Sequence, residues 1–147
     1  MSPIEFRELL AEIKAEIPEI NTTIPVIDDS QLVSNLEKRK KSDNLLLVGV
    51  LPSYGSEGNN TDHVRQTTMC QLMILEKTDY SNLTADEFWL LFERCYQAIK
   101  KVREIIVRKA GEECLPYLVN IDVNGLGIDP VWKKAECNGY SFDFDIM

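Results

Sequence analysis

The segment over residues 84–110 constrains the fold of this chain more than any other. It opens with Thr84-Ala85-Asp86-Glu87, a capping box in which a hydroxyl and a carboxylate bond to each other's backbone N–H groups at the start of a helix. Apolar residues then recur at helical spacing: Phe88, Leu91, Phe92, Cys95, Ile99, Val102, Ile105 and Ile106. The helix is predicted to end at Gly111. The sequence therefore predicts one long helix over 84–110, with a continuous apolar stripe that needs a partner layer.

The C-terminal segment is predicted to supply that layer. In its last strand aromatic and acidic residues alternate, as Tyr140-Ser141-Phe142-Asp143-Phe144-Asp145-Ile146, which places the aromatics inward and the carboxylates outward. Val119, Ile121 and Val123 alternate with polar residues in the same way. Gly125-Leu126-Gly127 and Asp129-Pro130 are turn signals. We therefore predict a C-terminal β hairpin over 118–146.

The sequence of the N-terminal half predicts helices followed by a β hairpin with a long loop. Helical spacing of apolar residues predicts a helix over 3–17, which Pro18 ends. Residues 19–27 form a connector, and a capping cluster at 28–30 opens a possible short helix. A buried strand over 45–51 stops at Pro52, and a second strand covers 67–76. The polar, glycine-rich stretch over 53–66 is the loop between them.

These elements predict a single α+β domain over 1–147, in the order α-(α)-β-β-α-β-β. Its four-stranded, mainly antiparallel sheet packs against the long helix and the N-terminal helix. The length of 147 residues suffices for one core. The net charge of −8 argues against specific nucleic-acid binding by phosphate neutralisation, and no apolar run is long enough to cross a membrane.

The residue types that perform chemistry do not form a recognisable set. The four cysteines, Cys70, Cys95, Cys114 and Cys137, lack the close spacing of zinc or redox motifs, which predicts reduced thiols in a cytoplasmic protein. The one histidine, His63, lies in the polar loop. We therefore predict no catalytic residue, no cofactor and no metal site. Asp122, Asp143 and Asp145 leave open a less favoured alternative, a metal-dependent hydrolase, although strand alternation already explains them.

The element order over residues 45–146 resembles that of the tail-terminator and tail-completion (neck) proteins of long-tailed bacteriophages. The ending carries the same resemblance: Asn138-Gly139-Tyr140-Ser141-Phe142-Asp143-Phe144. The resemblance implies a small, acidic, non-enzymatic structural protein of a phage or prophage. It further implies a homo-oligomeric ring that caps the tail tube and contacts other tail or head–tail connector proteins. Such a protein resides in the bacterial cytoplasm during assembly and then in the virion.

Extended hairpin loops in that family contribute to subunit or tube contacts, so the resemblance places residues 53–66 at an interface. The candidate interface residues are Tyr54, Asn59, Asn60, His63 and Arg65 in or beside this loop, together with Trp132, an aromatic residue in a turn region. The alternative is a monomeric, cystatin-like domain that binds a small molecule or a protein. In that case a pocket opens near Tyr54, Trp132 and Tyr140.

Overall fold

The computed structural model describes residues 1–112 and 115–147, and its described elements surround a five-stranded mixed sheet. The helices are α1 (Pro3–Glu16), α2 (Asp29–Glu37) and α3 (Ala85–Gly111). The strands are β1 (Thr22–Val26), β2 (Leu46–Glu57), β3 (Arg65–Lys77), β4 (Gly127–Lys134) and β5 (Cys137–Ile146). Their order across the sheet is β1-β2-β3-β5-β4, with β1 parallel to β2 and the other neighbours antiparallel.

Helices α1 and α3 cover one face of the sheet. Each begins with a complete capping box, Ser2 with Glu5 in α1 and Thr84 with Glu87 in α3, so backbone N–H groups at both helix starts are satisfied. The buried core beneath them includes Leu9, Leu10, Ile13, Leu72, Ile74, Cys95, Ile99, Val102, Phe142 and Phe144. Burial of these apolar side chains is the main force that holds the two layers together.

Helix α2 covers part of the opposite face, above β1, β2 and the second half of β3. Its buried residues Leu32 and Leu36 join a second, smaller core. The strands contribute Ile24, Val26, Leu46, Val48, Met73, Leu75 and Cys137 to it. On the same face, the sheet nearer the turn between β2 and β3 is more exposed: the Met69 side chain there is 46% exposed. Helices therefore cover both faces of the sheet only at the end away from the turn between β2 and β3.

The α+β class and the three helices are confirmed. The helix predicted over 84–110 is α3, the helix predicted over 3–17 is α1, and the possible short helix is α2. The alternation in the last strand is confirmed as well, since Phe142 and Phe144 are buried and Asp145 is exposed.

The predicted number of four strands is wrong, because the connector over 19–27 contains a fifth strand, β1, whereas the mainly antiparallel character of the sheet is confirmed by three of its four described pairings. This strand pairs in parallel with β2, from Thr22 opposite Leu46 to Val26 opposite Val50. Pro25 and its β-branched neighbours argue against a helix in this connector, and they are compatible with β1 because it is an edge strand. At an edge, a proline without an N–H group leaves the sheet intact.

The predicted boundaries within both hairpins also need correction. β2 does not stop at Pro52; it continues through a bulge between Val50 and Ser53, so the loop predicted over 53–66 shrinks to residues 58–64. In the C-terminal hairpin predicted over 118–146, residues 119–123 form turns with a single bridge from Ile121 to Ile146. The strand lies later, in β4, and it includes the Asp129-Pro130 pair that predicted a turn. Pro130 is again tolerated because β4 is an edge strand.

Gly139 provides a test of how closely β5 packs beside β3. A Cβ atom at this position would lie 2.0 Å from the backbone oxygen of Ile74, whereas one at Gly111 would meet nothing within 4 Å. We expect Gly139→Ala to lower the free energy of unfolding by about 2–3 kcal/mol, because the strand backbone has to move. The matched Gly111→Ala variant should be neutral or slightly stabilising. Urea unfolding measures both, and equal stability of the two variants would contradict this packing.

Candidate functional site

The end of the β2–β3 hairpin projects beyond the rest of the sheet. β1 pairs with β2 only as far as Val50, and β5 pairs with β3 only from Thr68 onward. Beyond these points, residues 55–57 of β2 pair only with residues 65–67 of β3. We call residues 53–67 the arm. Its outer part, residues 55–67, is a two-stranded ribbon with a turn at its tip, and most side chains of the arm are exposed.

The turn of the arm is held by its own backbone and by one asparagine. Asn60 accepts hydrogen bonds at its side-chain oxygen from the Asp62 N–H (3.2 Å) and at its carbonyl from the His63 N–H (3.2 Å). Gly58 approaches the other side of the turn so closely that a Cβ atom would lie 2.4 Å from the His63 carbonyl oxygen. Asparagine and glycine at these positions thus give the tip a defined shape.

The surface of the arm offers both apolar and charged groups. The side chains of Tyr54 and Val64 are 45% and 58% exposed, and the Tyr54 hydroxyl donates a hydrogen bond to the Met1 carbonyl (3.2 Å). The charged side chains of Glu57, Asp62 and Arg65 form no ion pair with the parts of the chain that the structure describes. Exposed aromatic and aliphatic groups beside uncommitted charges are typical of a protein-binding surface.

The structure groups five of the six candidate interface residues and separates the sixth. Tyr54, Asn59, Asn60, His63 and Arg65 all lie on the arm. Trp132 lies on β4 at the opposite end of the sheet, 66% exposed, with the Lys133 Nζ atom 5.1 Å from its ring centroid. Tyr140 is also remote from the arm: it pairs with Ile74, whereas Tyr54 pairs with Thr68. Six strand residues correspond to roughly 20 Å, so the structure does not bring Tyr54, Trp132 and Tyr140 together.

Sequence reasoning missed an aromatic cluster between α3 and β5. Ring centroids are 5.1 Å apart for Phe88 and Phe92, 5.8 Å for Phe92 and Tyr140, and 5.7 Å for Tyr96 and Tyr140. Trp89, one residue from Phe88 on the same helix, is 73% exposed. The spacing of four residues between successive aromatics of α3 is the signal that could have revealed this cluster. It forms a second surface suited to protein contacts.

A partly buried ion pair links α3 to the end of β3. The Arg94 guanidinium donates to both carboxylate oxygens of Glu76, at 2.7 and 3.2 Å, and this contact raises the pKa of Arg94. The Glu76 side chain is largely buried, so the arginine supplies the charge that its carboxylate needs. An open cavity of about 400 Å³ lies beside the pair, lined also by Lys41, Asp79 and Glu87. Because the carboxylate of Glu76 and the guanidinium of Arg94 neutralise each other, we assign the pair a structural role.

The three aspartates considered as metal ligands do not converge. Asp143 and Asp145 share a face of β5, but Asp122 uses its side chain to accept a hydrogen bond from the Asn124 N–H (3.0 Å). Across residues 1–112 and 115–147, no group of three or more histidine, cysteine or acidic side chains is arranged to hold a metal ion. Burial raises the pKa of Asp143, the Gln71 side chain opposes this shift by a hydrogen bond, and the negative charges of Asp129 and Asp145 add to it.

The cysteines that the structure describes are buried free thiols. Desolvation raises the pKa of Cys70 and Cys95 to about 12 and that of Cys137 to about 11. A thiol with such a pKa is almost entirely protonated at neutral pH and is a poor nucleophile or metal ligand. The prediction of reduced cysteines is confirmed for these three residues, and Cys114 lies outside the described residues.

Comparisons with known proteins return no relative. No protein-family model matches the chain. No curated protein and no solved structure matches it either. Within the described ranges, no helix combines the length and the apolar character needed to cross a bilayer.

The raised pKa of Asp143 predicts a pH-dependent effect of Asp143→Asn. Since the folded chain holds this proton more tightly than the unfolded chain, the ionised carboxylate lowers stability at neutral pH. We expect the variant to raise the Tm at pH 7. The gain should shrink as the pH falls toward 3.8, the ordinary pKa, below which the group is protonated in both states.

Thermal unfolding followed by circular dichroism between pH 3.5 and 7.5 measures this effect. Asp62→Asn on the arm is the control, because it removes the same charge from an exposed side chain. A Tm gain for Asp143→Asn that stays constant over this pH range would contradict the prediction.

Proposed function

We propose that this protein is a non-enzymatic structural and assembly protein, similar to the tail terminators of phages and prophages, and that it forms a homo-oligomeric ring on the end of a tail tube. The observation that carries the proposal is the projecting arm. An isolated two-stranded ribbon has marginal stability in water, because it buries little apolar surface of its own. A partner that covers Tyr54 and Val64 would stabilise the arm and gain binding energy from the same contact.

The charge distribution supports this proposal. The chain carries a net charge of −8, and Asp129, Asp143 and Asp145 lie together on the face of β4 and β5 that α3 does not cover. A ring that encloses passing DNA benefits from acidic walls, because they repel phosphate and keep the duplex mobile. The same excess of negative charge disfavours specific nucleic-acid binding.

The aromatic surface at the other end of the sheet suits a second kind of partner. Trp89 and Trp132 are both strongly exposed, and tryptophan is enriched at the centres of protein interfaces. In a ring built through the arms, these residues would remain available for tail-tube or head–tail connector proteins. We place the protein in the bacterial cytoplasm during assembly and then in the virion.

Size-exclusion chromatography with light scattering tests the proposal directly. We expect the wild-type chain to elute at a multiple of its 16.8 kDa mass. Val64→Glu on the arm should weaken association at least about tenfold, which corresponds to about 1.4 kcal/mol of lost contact energy. Val107→Glu, a matched change at an exposed valine of α3, should leave the mass unchanged.

The proposal fails if the wild-type chain stays monomeric at high concentration and also does not bind purified tail tubes. If the wild-type chain is oligomeric and the Val64→Glu variant has the same mass, the arm is not part of the interface. Circular dichroism of all three proteins ensures that a loss of association is not a loss of folding.

A further inference from the structure

The sheet of this protein has two kinds of unpaired edge, which differ in whether they are protected against pairing with another chain. β1 and β4 are the outer strands, and each carries a proline, Pro25 and Pro130. β4 also ends with Lys133 and Lys134. Proline and lysine on an edge strand prevent pairing with another chain, so both outer edges are protected.

The β2 edge carries Pro52 at the base of the arm, but beyond this residue neither edge of the arm has such protection. On the β2 side, residues 53–57 read Ser-Tyr-Gly-Ser-Glu, and on the β3 side, residues 65–67 read Arg-Gln-Thr. Neither segment contains proline or lysine. In each segment part of the backbone N–H and C=O groups points away from the hairpin, since consecutive residues of a strand direct these groups to alternate edges. The arm therefore presents strand-pairing groups on both of its sides.

We propose that the arms pair with each other between copies of this chain, the β2 edge of one arm adding to the β3 edge of the next. This inference rests on the proposed ring assembly and names the contact that would build it. Backbone hydrogen bonds between the two edges provide the affinity, as in other cases of strand addition.

The pairing uses two different edges, which decides the symmetry of the assembly. A contact between unlike surfaces is head-to-tail and repeats from copy to copy, so it closes into a ring when the rotation per subunit permits. Pairing of two like edges would instead give a twofold dimer and stop there. Only the pairing of unlike edges is compatible with the proposed ring.

Charge and shape complement the backbone contact. Glu57 on the β2 edge and Arg65 on the β3 edge are opposite each other in the hairpin, and neither forms an ion pair within the described parts of one chain. Between copies, the two opposite charges meet along the same contact. Beside the β3 edge lies an open cavity of about 720 Å³, lined by Arg65, Gln66, Val119, Asn120, Ile121 and Met147. Residues 119–121 and Met147 thus border the β3 edge, and the depression beside them is open to solvent.

Disulfide formation between variants that each carry one added cysteine tests the pairing. A Ser56→Cys protein carrying a mass tag is mixed with Arg65→Cys, Gln66→Cys or Thr67→Cys protein, and the mixture is oxidised with copper phenanthroline, which accepts the two electrons released when two thiols join. A disulfide requires Cα atoms within about 7 Å, so only adjacent edges react. We expect at least one mixture to give at least tenfold more mixed dimer than the wild-type protein or a mixture of Ser56→Cys with Ser34→Cys, a residue exposed on α2.

The outcomes separate this inference from the proposed function. An oligomeric protein for which none of the three mixtures yields a mixed disulfide overturns the arm-to-arm pairing and leaves the ring intact through another surface. A chain that is monomeric in light scattering overturns both. A strong Ser56→Cys disulfide with itself would indicate pairing of like edges and would also overturn the inference.

Discussion

The fold depends on the contact between the apolar stripe of α3 and the inward faces of β3 and β5. Ile99 and Val102 on the helix and Leu72 and Phe142 on the sheet belong to one continuous core. Helix α1 completes the layer on the same face, and α2 adds a smaller core on the other. The remaining features, including the edge strands and the arm, are attached to this two-layer unit.

The arm follows from a difference in strand length. β2 and β3 have 12 and 13 residues, whereas β1 has five. Two long strands beside shorter neighbours extend past the covered part of the sheet, and their outer backbone groups then have no neighbour. A protein that keeps such a ribbon exposed while protecting β1 and β4 with proline has edges of two kinds. This contrast is the physical basis for assigning recognition to the arm.

The helices could be predicted from sequence because their signals are local and strong. Capping residues and a stripe of regular period specify α1 and α3 without reference to the remainder of the chain. Pro52 and Pro130 misled the prediction of where strands lie, because the effect of a proline on a strand depends on whether the strand lies at an edge, which is a tertiary property. The alternation at 119–123 was also misleading, since those residues form turns with one bridge.

The candidate site was predictable in part for the same reason. Composition placed a polar, glycine-rich segment between two strands, and this located the tip of the arm near Asn60. How far the strands run into that segment depends on cross-strand pairing, which has no signature in single residues. The distance between Trp132 and the arm could be predicted only with the strand order, because β4 lies beside β5 and brings Trp132 to the other end of the sheet.

The bulge in β2 has a consequence for how this protein tolerates change. Between Val50 and Ser53 the strand contains one residue more than its partner, so the alternation of its side chains shifts by one residue beyond the bulge. Val50 faces the α2 core, and four residues later Tyr54 lies on the α1 side of the sheet, where it bonds to Met1. Deleting one residue here would restore regular pleating and leave Tyr54 opposite Thr68 on the α1 side, whereas a regular strand that kept all its residues would turn Tyr54 and Ser56 to the opposite side. The bulge therefore allows β2 to accommodate one surplus residue without turning the side chains of the arm to the other face.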